Sequence, residues 1–197
     1  MAEQASDAPP PASTSAKTAI FAGGCFWCTE ADFDKVDGVI STVSGYTGGT
    51  VDDPSYKQVV RGNTGHYEAV EVTYEPSKVS YDELVDYYFH TVDPTDPDGQ
   101  FCDKGTSYRT AVFAADSEER ETVEDEIDEI EASGQLDAPV VTKVLDRQTF
   151  WPAEDYHQDY HRTNAVKYRF YRNGCGRDAR LEELWGDEAM QLPSAAD

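Results

Sequence analysis

The chain has 197 residues with 39% hydrophobic and 12% aromatic content, which suits one globular domain with a full-sized core. Its formal net charge is −23, because 39 Asp and Glu outweigh 16 Lys and Arg. Nucleic acid is therefore excluded as a partner, since phosphate binding needs a basic surface. Four cysteines are too few for a disulfide scaffold, and no signal-peptide pattern or long apolar run is found. We expect a soluble protein of a reducing cytoplasm, with no membrane partner.

The acidic excess is spread along the whole chain. Such charge repels itself at low salt, whereas molar salt screens it within about 3 Å. We therefore hypothesise a halophilic source whose cytoplasm is rich in salt. The acidity itself carries no information about the chemistry.

Short elements separated by glycines make up the first half of the chain. In order, the patterns predict a disordered N-terminal tail at 1–16, a strand at 18–22, a helix from 25 to about 37, and strands at 39–44 and 67–74. The Gly-rich loop SGYTGG, which carries Tyr46, follows the second strand. In the third strand, Val70, Val72 and Tyr74 share one face, and Glu68 falls on that apolar face.

The second half contains the better-defined helix starts. Ser80 and Glu83 form a capping box, and Asp116 or Ser117 caps a later helix that Gly134 ends. The elements predicted here are a helix from 80 to about 90, a break at 93–99, a strand at 108–114, a helix from 117 to 133, a strand at 139–145, a helix from 152 to about 162, and then loop with one short helix.

The order of these elements indicates the fold class. Strands and helices alternate but their connections are irregular, which favours an α+β fold over a doubly wound one. We expect one domain at 17–197, built as a two-layer α/β sandwich with a mixed sheet and a ferredoxin-like core. No Walker A or GxGxxG motif is found, so we expect no cofactor.

The heptapeptide GCFWCTE carries the strongest chemical signal. It places Cys25 where a strand meets a helix, so that unpaired backbone N–H groups and the helix dipole favour the thiolate. Cys25 is therefore the candidate nucleophile. Cys28 lies one helical turn further on, which permits a CxxC disulfide. The alternative is that both are small core residues.

Glu68 is a candidate general acid. On the apolar face of its strand, burial is expected to raise its pKa and keep it protonated near neutral pH. The alternative is a carboxylate at the margin of the sheet that reaches water. Tyr46, Tyr108 and Asp103 occupy loop or strand-start positions, where side chains can converge on a site, although any one tyrosine can equally be a packing residue.

His157 and His161 are four residues apart, a spacing typical of metal ligands on a helix. With Cys25 and Cys28 they could form a Cys2His2 zinc site, but the pairs are far apart in sequence. The alternative is favoured: two surface histidines on an amphipathic helix, or one histidine packed beneath the site, with no metal.

Two further cysteines follow. Cys175 lies between glycines in NGCGRD, where the backbone can move, so its thiol could reach another sulfur. Cys102 precedes Asp103, and we interpret it as an incidental thiol rather than a redox partner.

Six motifs together carry a family resemblance. The stretches GCFWCTE, SGYTGG, GHYEAVEV, QFCDKGTSYRTAVF, FWPAEDYHQDY and GRDARLEELWG resemble, in this order, the peptide methionine sulfoxide reductase A family. The resemblance spans about residues 19–186. It implies reduction of the S epimer of methionine sulfoxide, free or in proteins, by a two-layer α+β fold.

Residue by residue, the resemblance implies that Cys25 attacks the sulfoxide sulfur while Glu68 protonates or hydrogen-bonds the departing oxygen. These two roles agree with the expected burial of Glu68, because burial keeps a proton on its carboxyl group. A sulfoxide oxygen needs that proton, since it is a poor leaving group until it is protonated. For Glu68 to be a neutral acid beside a Cys25 thiolate, the protein must hold the pKa values of these two groups apart.

The resemblance also implies the groups that contact the substrate. Tyr46 and Tyr108 match tyrosines that hydrogen-bond the sulfoxide oxygen, and Asp103 matches an aspartate beside the substrate backbone. Phe26 and Trp27 match the apolar wall against the S-methyl group.

Recycling is implied to pass through a disulfide that a thioredoxin-like donor reduces. This chain departs from the commonest family pattern, which has glycine in place of Cys28 and resolving cysteines near the C-terminus. Cys28 and Cys175 are therefore both candidate resolving cysteines, and their order stays open. The alternatives are a CxxC thiol-disulfide oxidoreductase, which leaves Glu68 without a role, and a zinc-binding module.

Overall fold

The structure is a computed structural model that describes residues 16–193. The tail expected at 1–16 therefore lies outside the described residues, apart from Ala16. The strands are β1 (Lys17–Gly23), β2 (Val39–Thr47), β3 (Tyr67–Tyr74), β4 (Gly99–Gln100), β5 (Asp103–Lys104), β6 (Thr110–Ala114), β7 (Lys143–Asp146) and β8 (Trp151–Pro152). The helices are α1 (Phe26–Phe33), α2 (Tyr56–Val59), α3 (Tyr81–Phe89), α4 (Ser117–Ser133), α5 (Tyr160–Thr163), α6 (Ala165–Gly174) and α7 (Arg177–Trp185).

Six of the strands form one mixed sheet in the order β7-β6-β1-β3-β2-β8. All neighbouring pairs are antiparallel except β6 and β7, which are parallel. The remaining strands, β4 and β5, form a small hairpin. This mixed sheet confirms the predicted α+β class. Among the described residues, no helix combines the length and apolar character that a bilayer span requires.

Alternation along the strands divides the core between the two faces of the sheet. Phe21 on β1 and Val70 and Val72 on β3 face the larger cluster, which α1, α3, α4 and α7 cover. Ile20 and Ala69 point to the opposite face, where a smaller cluster lies. Glu68 lies two residues before Val70 on β3, so its side chain points to the same face of the sheet and lies beneath α1.

The predicted helix caps are confirmed. The Ser80 hydroxyl oxygen accepts a hydrogen bond from the Glu83 backbone N–H at 3.1 Å, and the Ser80 backbone N–H donates to Glu83 Oε2 at 2.7 Å. Asp116 caps α4, and Gly134 ends it with φ of +67°.

Three boundaries differ from the sequence predictions in the first half and the middle of the chain. Helix α1 ends at Phe33 rather than near 37, and β2 continues through Thr47, so Tyr46 lies in a strand and not in a loop. The buried strand expected at 139–145 is shorter, at Lys143–Asp146, and is only partly buried because β7 is an edge of the sheet.

The prediction of a helix from Pro152 to about 162 is wrong. Trp151 and Pro152 pair with β2 as an edge strand, where the missing N–H of proline costs no ladder hydrogen bond. A 3-10 turn at Asp155–His157 and the short α5 follow, so His157 and His161 do not share a helix. The C-terminal region is also more helical than expected, since α6 and α7 both form there.

Candidate active site

Cys25 lies between β1 and α1, immediately after two glycines. Gly24 has φ of +84°, and a Cβ at this position would lie 2.5 Å from the Cβ of Gln100. Only glycine fits there without strain. The turn therefore holds Cys25 at the N-cap of α1, where it is 6% exposed.

The expectation that the helix end makes Cys25 a ready thiolate is wrong for the substrate-free protein. The first helical N–H, that of Phe26, donates to Glu68 Oε2 at 3.1 Å. Burial raises the pKa of Cys25 well above its ordinary value, and the neighbouring Cys28 and Glu68 raise it further. These influences favour the thiol form of Cys25 at neutral pH.

Cys28 is the more acidic of the two buried thiols. Its hydrogen bond with Cys25 lowers its pKa to about 7, with help from the charges of Arg177 and Arg172 and against the effect of burial. Arg172 also forms a buried ion pair with Asp32 at 2.9 Å, which fixes its position beside α1.

Glu68 lies on β3, directly opposite Tyr46 of β2, and is 2% exposed. Burial raises its pKa to about 8, Asp103 adds to the shift, and the Phe26 N–H opposes it. Glu68 Oε1 has no hydrogen-bond partner among residues 16–193. The burial excludes a carboxylate in contact with water, so Glu68 is mostly protonated at neutral pH. Tyr108 lies close enough to the carboxyl group to lower its pKa in part.

A cavity of about 60 Å³ joins these groups. Its lining contains Cys25, Phe26, Trp27, Tyr56, Glu68, Asp103, Tyr108 and Tyr171. Six of the expected site residues thus lie around one space. Tyr46 does not line it, and Tyr56 and Tyr171 line it without having been predicted.

Tyr46 supports the cavity wall from behind. It is fully buried, and its hydroxyl donates to Glu154 Oε2 at 3.0 Å. The other carboxylate oxygen of Glu154 accepts the backbone N–H of Tyr56 at 2.8 Å. Glu154 therefore links Tyr46 to Tyr56, and Tyr56 occupies the place at the cavity that Tyr46 was expected to have.

The cavity tyrosines are all hydrogen-bond donors at neutral pH. Burial raises the pKa of Tyr56 to about 12 and also raises the pKa values of Tyr108 and Tyr171. Tyr171 donates a hydrogen bond to Asp103 Oδ2. Tyr56 lies beside Tyr108, and Tyr171 lies beside Cys25, close enough for each neighbour to shift the pKa of the other group. These phenols converge on the space beside the Cys25 sulfur.

Trp27 is held at the mouth of the cavity. Its ring stacks on Tyr160 with centroids 3.8 Å apart, and its indole N–H donates to His157 Nδ1 at 3.0 Å. Phe26 lies further inside and contacts His157 with ring centroids 5.1 Å apart. The two side chains form a rigid apolar wall.

The histidines are engaged away from the cysteines. His157 is occupied by Trp27, and His161 Nε2 lies 3.2 Å from Asp34 Oδ2. Among the described residues, the ligand atoms of three potential metal-binding side chains come within 4.8 Å of one another only at Cys102, Asp103 and Cys175. The structure therefore does not assemble the Cys2His2 group considered from the sequence.

The interpretation of Cys102 as an incidental thiol is wrong. Cys102 and Cys175 form a disulfide with their Cα atoms 4.9 Å apart, whereas Cys25 and Cys28 are free thiols. Cys175 thus has a partner that the sequence did not indicate, because 73 residues separate the two.

Tyr56 and Tyr171 line the cavity but were not predicted, and the sequence contains a local pattern for only one of them. Tyr56 follows Ser55 in a capping box with Gln58, which could have revealed the short helix that presents it. No comparable local pattern marks Tyr171.

The sequence model of the family described as peptide methionine sulfoxide reductase matches residues 17–189. The chain belongs to this family. Peptide methionine sulfoxide reductase MsrA 2 of Rhizobium meliloti is 52% identical over 171 residues, covering 87% of this chain and 84% of that protein. The MsrA of Halalkalibacterium halodurans is 47% identical over 168 residues, covering 85% and 96%.

Solved structures of family members agree with the fold. The reduced form of Mxr1 from Saccharomyces cerevisiae superposes with a TM-score of 0.72 at 31% identity, over 79% of this chain and 88% of that one. Methionine sulfoxide reductase A of Corynebacterium diphtheriae gives a TM-score of 0.69 at 33% identity, over 77% and 76%.

Proposed function

We propose that this protein reduces the S epimer of methionine sulfoxide, free or within proteins, to methionine, with Cys25 as the nucleophile. The observation that carries the proposal is the pairing of Cys25 with a protonated, buried Glu68 at one small cavity. The Phe26 N–H fixes the carboxyl group next to the nucleophilic residue. This arrangement can transfer a proton to an oxygen held beside the sulfur.

The first step, in which Cys25 reduces the sulfoxide, needs no redox group from outside the protein. Cys25 sulfur attacks the sulfoxide sulfur while Glu68 gives its proton to the oxygen, and the Cys25 proton restores the acid. The oxygen then passes to Cys25, which becomes a sulfenic acid, and methionine leaves. Cys28 attacks the sulfenic sulfur, releases water and forms the Cys25–Cys28 disulfide. A thioredoxin-like dithiol protein returns the enzyme to its reduced state.

The surrounding side chains serve substrate binding in this proposal. Tyr56 and Tyr108 donate hydrogen bonds to the sulfoxide oxygen, and Asp103, held by Tyr171, faces the substrate backbone. Phe26 and Trp27 bound the S-methyl group. A wall on one side and donors on the other distinguish the two epimers, because exchanging oxygen and methyl would leave the donors unpaired.

The test of the proposed function uses purified protein, a racemic N-blocked methionine sulfoxide and dithiothreitol, followed by chiral quantification of the remaining sulfoxide. We expect loss of the S epimer only. Survival of both epimers across a range of salt concentrations would overturn the proposal.

Matched tyrosine variants test which phenol contacts the substrate. Tyr56→Phe is expected to lower kcat/KM roughly 10²-fold, the effect of losing one donor to a developing negative oxygen. Tyr46→Phe is expected to keep activity within about threefold and to lose about 1.5–3 kcal/mol of stability, because Glu154 loses a hydrogen bond. Steady-state kinetics and urea unfolding measure both. Equal activity losses in the two variants would contradict this assignment.

We also propose that the protein works as a single catalytic domain over 17–197 in a salt-rich cytoplasm, without nucleic-acid or membrane partners. The net charge of −23 supports the salt requirement. The unfolding midpoint is expected to rise by at least about 5 °C between dilute buffer and molar KCl, which is roughly 2 kcal/mol.

A control variant removes charge from one exposed face of α4. Glu121, Asp125 and Asp128 are exposed there, and their conversion to Gln and Asn should weaken the salt response. A midpoint that is insensitive to KCl in the unaltered protein would argue against a salt-rich source.

A further inference from the structure

Three potential metal ligands meet at the edge of the catalytic cavity. The sulfur atoms of Cys102 and Cys175 and a carboxylate oxygen of Asp103 lie within 4.8 Å of one another. Cys102 lies in the turn between β4 and β5, Asp103 begins β5, and Cys175 is the C-cap of α6. Asp103 also lines the cavity beside Cys25. We call Cys102, Asp103 and Cys175 the rim cluster.

The rim cluster can ligate a metal only after its disulfide has been reduced. A dithiol that reduces this bond becomes a disulfide itself and leaves two thiols, and each thiol gives up its proton when it binds a metal. The Cα atoms of Cys102 and Cys175 are 4.9 Å apart, so the two sulfur atoms remain neighbours after reduction. Cys102 is exposed and Cys175 is half-buried, so an ion from solvent can reach both.

The spacing of these atoms suits a tetrahedral zinc ion. Zn²⁺ binds thiolate sulfur at about 2.3 Å and carboxylate oxygen at about 2.0–2.2 Å. Tetrahedral angles then place two sulfur ligands about 3.8 Å apart, and a sulfur and an oxygen about 3.5 Å apart. The reduced rim cluster can adopt these separations, because an added Cβ at Gly174 or at Gly176 would meet no atom within 4 Å and the backbone around Cys175 can therefore shift.

Asp103 is oriented as a metal-bound carboxylate usually is. Its Oδ2 atom accepts the hydroxyl of Tyr171. An ionised carboxylate has about four acceptor sites, so this single hydrogen bond leaves room for a metal. Carboxylates that ligate metals are themselves hydrogen-bonded, and that bond fixes their orientation. Tyr171 supplies this bond from α6, the helix that also carries Cys175.

The charges around the rim cluster favour a cation. The net charge of −23 produces a negative potential around the chain, and Cys175 lies at the negative end of the ten-residue helix α6. The cationic side chains that act on Asp103 are those of Arg177 and Lys104. Both have other partners, since Arg177 donates to two backbone carbonyl groups and Lys104 pairs with Asp96.

We propose that the reduced rim cluster is a binding site for a divalent cation of the zinc class, with two thiolates and the Asp103 carboxylate as ligands and water in the fourth position. The oxidised protein cannot bind this ion, because its sulfur atoms are joined. The bound ion also engages a carboxylate that lines the cavity. Resting on the proposed function, it therefore keeps the substrate backbone from Asp103 and slows the reductase.

Titration of the reduced protein with Co²⁺ tests the site without any substrate. Thiolate-to-cobalt charge transfer and strong d–d absorption appear together when Co²⁺ enters a tetrahedral site that contains sulfur. The full chain is reduced with a phosphine, separated from it without oxygen, and titrated with Co²⁺ and then Zn²⁺. We expect one tetrahedral Co²⁺ per chain, displaced by Zn²⁺, and no such absorption before reduction.

Matched variants distinguish the rim cluster from the CxxC pair. Cys102→Ser/Cys175→Ser should lose the charge-transfer absorption, whereas Cys28→Ser should keep it, because Cys25 and Cys28 are buried. Asp103→Asn should weaken Co²⁺ binding at least about tenfold while both thiolates stay in place. Circular dichroism checks that each variant is folded. Absorption that persists in the double serine variant would place the metal at the CxxC pair and overturn the proposal.

The remaining outcomes separate the metal site from the reductase function. Lack of tetrahedral Co²⁺ in the reduced, unaltered chain would overturn the site, whatever the activity. Saturating Zn²⁺ should slow single-turnover methionine formation at least about tenfold in the unaltered chain and leave the rate of Cys102→Ser/Cys175→Ser unaffected by Zn²⁺. Equal rates with and without Zn²⁺ in the unaltered chain would overturn the effect on the cavity. No methionine under either condition would overturn the proposed function and leave the cobalt result standing.

Discussion

Cys25→Ser is expected to reduce methionine formation to the rate of the uncatalysed reaction. A serine hydroxyl is a poor nucleophile toward sulfur, and it can form neither a sulfenic acid nor a disulfide. The change removes one buried sulfur, so stability should fall by less than about 2 kcal/mol. Chiral quantification of sulfoxide under dithiothreitol measures the activity, and thermal unfolding measures the stability.

Cys28→Ser is the matched control, since it alters the neighbouring thiol on the same helix. Without reductant, this variant should still release methionine once per chain, and Cys25 should gain the mass of one oxygen atom in intact-protein mass spectrometry. Measurable catalysis by the Cys25 variant, or a missing first product from the Cys28 variant, would show that the two roles are misassigned.

Glu68→Gln is expected to lower kcat by about 10²–10⁴-fold, the usual contribution of a positioned general acid. Glutamine has nearly the same shape and can still accept the Phe26 N–H, but it has no proton to give. KM should change little. The unaltered enzyme should also lose activity above pH about 8, where Glu68 ionises, and the variant should lack this descending limb.

Glu68→Gln should also change the pH dependence of the free energy of unfolding, which can be measured without turnover. The folded chain holds the Glu68 proton up to pH about 8, whereas the unfolded chain releases it near 4.5. The native state thus binds more protons in this window, and the free energy of unfolding falls as the pH rises, by about 1.4 kcal/mol per pH unit. Urea unfolding from pH 5 to 8 should show this fall in the unaltered chain relative to Glu68→Gln. Parallel pH curves would show that Glu68 is ionised in the folded protein.

Several elements whose signals are local are predicted correctly from the sequence. The capping boxes, the start of α4 and the β3 strand follow from side chains a few residues apart, whose hydrogen bonds and apolar spacing act within one element. The region after Pro152 was misread because an edge strand tolerates proline as well as a helix start does, and only pairing with Gly45 selects the strand.

The candidate site was predictable for a similar reason, and only in part. Cys25, Glu68 and Asp103 stand in motifs whose residue types already indicate their chemistry. Tyr46 was predicted from its glycine-rich surroundings, whereas the capping box before Tyr56 indicates a short helix and carries no information about a site. Their assignment depends on Glu154, which lies nearly a hundred residues beyond Tyr56 and binds both.

The sequence by itself determined the family and the fold class, which rest on ordered motifs and on the order of the elements. It also predicts the nucleophile and the acid, from a motif at a helix start and from the parity of residues along one strand. Only the tertiary structure decided the protonation of Cys25 and the partner of Cys175. Burial and neighbouring charges set a pKa, and chain folding sets which sulfur atoms meet. Neither property is encoded in the spacing of nearby residues.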